Sequence, residues 1–216
     1  MKRLVEDFGY FSLKRIIDAN DLRELNMFVL YNYYNHHLKH GLYPEHELVQ
    51  MINEDSEAFS HSLYYVICDS NNELVGSIKL QEWDHKKLLC IQYEFDVDLF
   101  HFIDNLDNTP NKVFHIGRFA IDQEKIKSNK ELRKRRLTIL KLLMYHALLP
   151  VMANSSNIFF CECDEKLCSK LNLMGVYPEI IGKPKLCMGS MTIPIYCDNS
   201  RIQDFFHKQK KLSYVS

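Results

Sequence analysis

At 216 residues, 46% of them hydrophobic, the chain can bury one large core or two small ones and is too apolar for a disordered segment. Its formal charge of −1 excludes a general polyanion binder, which needs a large basic excess over one face, so any anion site must be local. No apolar run approaches the roughly 18 residues of a membrane span, and the opening MKRLVEDFGYF carries charges where a signal peptide has its apolar region, so a cytoplasmic location is expected. The seven cysteines, an odd number set mostly in apolar strand-like segments, predict reduced, buried thiols.

In chain order, a first strand is predicted over residues 10–18. DLRELNMFVLYNYYNHHL then places Leu22, Leu25, Met27, Phe28, Tyr31 and Tyr34 at mostly helical spacing, with Asn20 or Asp21 as cap. A second helix is predicted over 45–59. The hairpin SLYYVICDSNNELVGSIKLQEW follows, with antiparallel strands over 63–68 and 74–82 and Asn71-Asn72 at the turn. LLCIQYEFD reads as a third strand, and LFHFIDNLDNTPN as an aromatic connector rich in turn formers.

KVFHIGRFAIDQE, residues 112–124, reads as a buried strand, and ELRKRRLTILKLLMYHALL, residues 131–149, as a long amphipathic helix that Pro150 must kink or end. NIFFCEC is a further strand, DEKLCSKLNLMGV a short helix closed by Gly175, LCMGSMTIPIYC a last strand and SRIQDFFHKQKK a terminal helix. No linker, repeat or low-complexity stretch divides the chain, so one domain is expected over 1–216: a strand and helices to 60, a core over 61–197 and a C-terminal helix over 198–216.

The chemistry-bearing residues cluster around the 112–124 strand. The helix after it opens with Arg133, Lys134, Arg135 and Arg136. Cations there oppose the helix dipole at a cost of about a few tenths of a kcal/mol each, and an anionic phosphate ligand would offset it; a solvated charge run is the alternative. With successive helical residues about 100° apart, Arg133 and Arg136 fall on one face. His115 carries an imidazole, the side chain suited to accept a proton at neutral pH; a satisfied, partly buried histidine is the alternative. Arg118, a guanidinium in an apolar strand, needs a carboxylate or a ligand, and Glu94 and Asp96 are its expected partners; a structural ion pair is the alternative. Cys161, Cys163 and Cys168, and His36, His37 and His40, lack the spacing or the third ligand of a metal site, so packed thiols, a polar helix end and no metal are expected.

These strings, in this order, resemble the GNAT acyltransferase superfamily, and within it the branch of autoinducer (acyl-homoserine lactone) synthases and N-acyl amino acid synthases. LVGSIKL looks like that branch's early hairpin and QYEFD like its short acidic segment. FHIGRFAID is similar to its aromatic-acid-x-Ser-Arg-Phe strand, and LNLMGVYPEIIGKPKLCMGSMTIP to its Gly, Gly-x-Pro, Gly-x-x-Thr-x-Pro tail. The resemblance implies an α/β fold with a mixed, mostly antiparallel central sheet, a splayed parallel strand pair and flanking helices. It implies an N-acyltransferase that takes its acyl group from acyl-CoA or acyl carrier protein and gives it to a small amine or amino acid. His115, Arg118 and Glu94 would then serve the chemistry. Phe119, Ala120 and Ile121 would bind pantetheine as an added strand, with Arg133, Arg135 and Arg136 on the phosphates. Tyr93, Phe95, Phe100 and Phe102 would line an acyl tunnel, though core packing explains them equally well.

The chain also departs from the pattern. Arg133 to Arg136 contains no glycine where acetyl-CoA-dependent members have a Gly-rich turn, and His115 stands where autoinducer synthases carry Glu. Leu171 stands where many acetyltransferases have a Tyr acid, which leaves Cys168 or water to protonate the leaving thiolate. The alternative function is a binding module that keeps the fold without catalysis and senses an acyl thioester or a lipid. Neither nucleic acid nor an integral membrane location is expected.

Overall fold

The first strand is one that no alternation announces: in β1 (Lys2–Asp7) five of six residues are exposed, so neither face carries an apolar stripe. It pairs antiparallel with β2 (Phe11–Ile16), whose Phe11, Leu13 and Ile16 are buried. A one-turn 3-10 helix, Ala19–Asp21, follows, capped by Asp18, which accepts from the Asn20 N–H. α1 (Leu22–Leu38) and α2 (Glu45–Ala58) form where helical spacing places them. The hairpin of β3 (Ser62–Asp69) and β4 (Leu74–Glu82) turns where expected: Asp69 accepts from the N–H groups of Asn71 and Glu73, and Asn72 takes φ 65, a left-handed conformation that Asn tolerates.

In this computed structural model, which describes residues 1–38 and 42–212, the chain forms two compact units. The expectations for His40 and for the side chain of His37 lie outside the described residues. The first unit comprises Met1–Gln81 and Gly117–Ala147, and so holds the later part of β5 (Val113–Ile121), α5 (Gln123–Ser128), α6 (Lys130–Lys134) and most of α7 (Arg136–Met152). Leu13, Leu25, Val29, Tyr64, Val66, Ile78 and Leu143 are buried there.

The second unit comprises Glu82–Ile116 and Leu148–Ser216. Here LLCIQYEFD forms a helix, α3 (Cys90–Phe95), and not the expected strand. Ile91 and Phe95, four apart, are both buried, the Gln92 side chain accepts from the Leu89 N–H, and Asp96 at φ 56 ends the turn. The aromatic connector is helical as well, α4 (Leu99–Asp104). β6 (Ile158–Asp164) leads into α8 (Glu165–Met174), closed by Gly175 at φ 95. After a short β7 (Glu179–Ile180), the expected last strand is a hairpin of β8 (Lys185–Cys187) and β9 (Ser190–Asp198), because Met188 and Gly189 take successive positive φ values of 45 and 80. α9 (Gln203–Leu212) is the terminal helix. Trp83, Ile91, Phe95, Leu99, Ile158, Phe160 and Tyr196 form this unit's core.

The strands hydrogen-bond in the order β1-β2-β3-β4-β5-β6-β9-β7, with β8 also on β9. The sheet is mixed and mostly antiparallel, flanked by helices, with one parallel pair, β5 and β6, whose register runs from Val113↔Ile158 to Ile116↔Cys161. β5 continues to Ile121 beyond that register. No described helix is long and apolar enough to cross a membrane.

Candidate functional site

β5 departs from strand geometry at Arg118, whose φ of 53 lies in the left-handed region that costs a non-glycine residue about 1–3 kcal/mol. Its carbonyl accepts from the Ser77 hydroxyl at 2.7 Å. The guanidinium is fixed on two carboxylates from the end of α2: Nε lies 3.0 Å from Asp55 Oδ2 and Nη2 lies 2.9 Å from Glu54 Oε2. The other Asp55 oxygen accepts from Lys79 Nζ at 2.7 Å, and the Tyr64 hydroxyl donates to the Asp55 backbone carbonyl. Arg118 therefore pairs with Glu54 and Asp55 and not with the expected Glu94 or Asp96.

Asp55 and Lys79 are buried, and burial opposes the charge on each. For Asp55, Arg118 and Lys79 outweigh burial and bring the carboxyl down to about 2 from an ordinary 3.8. Lys79 shifts downward even though Asp55 pulls the other way, because burial is its larger cause. The Arg118 guanidinium, desolvated but held by Asp55, is raised and stays charged. A sequence signal for this cluster existed: Leu48, Met51 and Asp55 are the buried residues of α2, so an acid occupies the apolar stripe of an amphipathic helix.

Three residues before Arg118, His115 Nε2 lies 2.8 Å from Glu162 Oε2 of β6, both side chains nearly buried at 12% and 13% exposure. His115 sits opposite Phe160 in the parallel register, and Glu162, two residues on, shares the Phe160 face. Sequence reasoning missed Glu162; its signal was the single charge in the apolar string NIFFCEC. Beyond it, Cys163 on the strand donates to the Asp164 carbonyl at 3.4 Å, and its interaction with Cys168 of α8 lowers the Cys168 thiol to about 7 and, together with burial, raises that of Cys163. All seven cysteines are free. Leu171 is buried, and no group of three or more metal-ligating side chains is present among the described residues.

The cationic segment is not the first turn of one helix. Asn129 caps α6 through the N–H groups of Glu131 and Leu132, α6 ends at Lys134, and Arg135 occupies the break at φ −105 and ψ 11 before α7 opens at Arg136. Arg133 and Arg136 thus belong to different helices, because the Arg135 N–H turns back onto the carbonyls of Leu132 and Arg133 and interrupts the helical ladder. Lys134 is tied to Glu131. Arg133, Arg135 and Arg136 are exposed and have no carboxylate partner among the described residues. Phe119, Ala120 and Ile121 follow Arg118 in β5, past the last residue in register with β6. Glu94 is exposed on α3, where its carbonyl accepts from Lys185 Nζ, and Asp96 pairs with the same lysine. Phe95 and Phe102 pack into the core, whereas Tyr93 and Phe100 are exposed.

No protein-family profile matches the sequence, and no curated protein is similar to it in sequence. Solved structures are similar to it in fold. The N-acyl amino acid synthase FeeM from uncultured soil microbes aligns with a TM-score of 0.58 and 14% identity, over 88% of this chain and 90% of that one. TofI, solved in a ternary complex with an inhibitor and MTA, gives 0.55 and 15% over 91% and 96%. An acetyltransferase of the GNAT family from Staphylococcus aureus Mu50 gives 0.52 and 13% over 87% and 99%. The chain has the fold of the GNAT acyltransferases.

Proposed function

We propose that this chain is an N-acyltransferase that moves an acyl group from a pantetheine thioester, on coenzyme A or an acyl carrier protein, to the nitrogen of a small amine or amino acid. The observation that carries this reading is the 2.8 Å pair of His115 and Glu162 on adjacent strands of a GNAT fold. Attack on a thioester needs a neutral amine, so a base must take the amine proton as the N–C bond forms. In the tautomer that donates Nε2–H to Glu162, the imidazole offers its Nδ1 lone pair for that proton, and the carboxylate stabilises the imidazolium that results. The C–S bond then breaks, and the thiolate takes a proton from water or from Cys168.

Binding of the donor rests on the first unit. The main chain of Phe119, Ala120 and Ile121 is the strand to which a pantetheine arm would add. Arg133, Arg135 and Arg136, exposed around the start of the 17-residue α7, are the cations for its phosphates. Arg118 is already committed to Glu54 and Asp55, which supports a role in shaping β5 and not in proton transfer. Glu94 takes no part in the reaction proposed.

The test is release of free thiol from acyl-CoA and acyl carrier protein donors across a panel of amines. At least one small amine should turn over, His115→Ala should lose roughly 10²–10⁴-fold in rate while keeping thioester affinity, and Glu162→Gln should lose less and shift the pH profile. Thioester binding without turnover of any amine would assign a non-catalytic binding module, and a fully active His115→Ala would remove the histidine from the chemistry.

A further inference from the structure

β1 ends the strand order: β2 takes one of its edges, and among the described residues no strand takes the other. Leu4 is 55% and Val5 40% exposed. An edge of this kind is a template for another strand. Its sequence, KRLVED, runs two cations, two apolar residues, two anions, and is charge-complementary to itself when reversed. About a two-fold axis between Leu4 and Val5, Lys2 meets Asp7 of a second copy, Arg3 meets Glu6, and Leu4 meets Val5.

A regular strand could not use this register, since residues three or five apart lie on opposite faces and face opposite edges. The bulge in β1 removes the obstacle. Its register to β2 steps from Leu4↔Lys14 to Glu6↔Leu13, so Val5 is the extra residue. Arg3 and Glu6 then stand opposite Arg15 and Leu13 on one face, while Lys2, Leu4 and Asp7 stand opposite Ile16, Lys14 and Ser12 on the other. Lys2 is already held by Glu24, and Asp7 accepts from the Gly9 N–H. Arg3 and Glu6 are exposed and have no charged partner among the described residues, so the register depends on them. Charged edges commonly keep monomers apart, but in this register both charge pairs, Lys2 with Asp7 and Arg3 with Glu6, are of opposite sign. We propose that β1 pairs antiparallel with β1 of a second copy across a two-fold axis, so that the sheet runs on through a homodimer.

The test is analytical ultracentrifugation of the full chain and of charge-reversed variants, whose folding is checked by circular dichroism. The wild type should dimerise, and Arg3→Glu or Glu6→Arg alone should each raise the dissociation constant about tenfold or more, since two attractive cross-strand pairs become repulsive. The two variants mixed one to one should dimerise again, because each supplies the charge the other has lost, and the double variant should dimerise with itself. A wild type that stays monomeric at its highest soluble concentration, or single variants that dimerise as well as it does, would overturn the proposal.

Discussion

Replacing Asp55 by Asn would leave Lys79 charged, buried and without its carboxylate, and would release one arm of Arg118. Breaking a buried pair from one side costs about 3–5 kcal/mol, so Asp55→Asn should lower the denaturant midpoint far more than Lys79→Met, which leaves Asp55 still held by Arg118. The same carboxylate makes stability depend on acid. Its folded value of about 2 lies below the ordinary 3.8, so the stabilisation is complete above pH 4 and is lost as pH falls through about 2. The full contribution is about 2 kcal/mol. Urea unfolding between pH 5 and pH 2 should show that loss in the wild type, and a smaller one in Asp55→Asn. An unchanged acid slope in the variant would mean that other carboxylates carry it. His115 and Glu162, nearly buried and hydrogen-bonded to each other, are the proposed base and its partner, so their substitution should be read in rate as well as in stability.

Among the elements, Gly175 makes the most exposed prediction. It ends α8 at φ 95, and a Cβ there would sit 2.9 Å from the Phe205 backbone nitrogen, a neighbour that cannot rotate away. Gly175→Ala combines a left-handed alanine with that clash and should cost about 2–3 kcal/mol, seen as a fall of several degrees in Tm. α1, α2, the hairpin of β3 and β4, and the Gly175 stop were legible in the sequence because each carries a local period, turn or cap. β1 was not, since an edge strand with five exposed residues has no alternation to read. α3 was misread because Cys, Ile, Tyr and Phe favour strands, while its helix depends on the contact of Gln92 with Leu89 and on burial of Ile91 and Phe95. At the candidate site, His115 and Arg118 were legible as polar residues in an apolar strand. Their carboxylates, Glu162 and Asp55, lie 47 and 63 residues away in sequence, and only the paired strands and the packing of α2 bring them within hydrogen-bonding distance.

For the molecule as a whole, a formal charge of −1 gives little net attraction for an anionic donor, so the proposed binding would depend on local cations. Arg133, Arg135 and Arg136 flank a break between helices, which lets their side chains spread instead of aligning on one helical face. If they hold the donor, its affinity should fall with added salt. Arg133→Ala with Arg136→Ala should weaken coenzyme A binding by about tenfold or more, since a charge-assisted hydrogen bond contributes about 1.5–3 kcal/mol before solvent screening reduces it. Neither arginine pairs with a carboxylate among the described residues, so the double variant should keep the wild-type Tm, which separates lost binding from lost fold. Calorimetry with coenzyme A at two ionic strengths decides the matter: a wild type whose affinity ignores salt, or a double variant that binds as tightly as the wild type, would place the phosphates elsewhere and leave the segment as a solvated charge run.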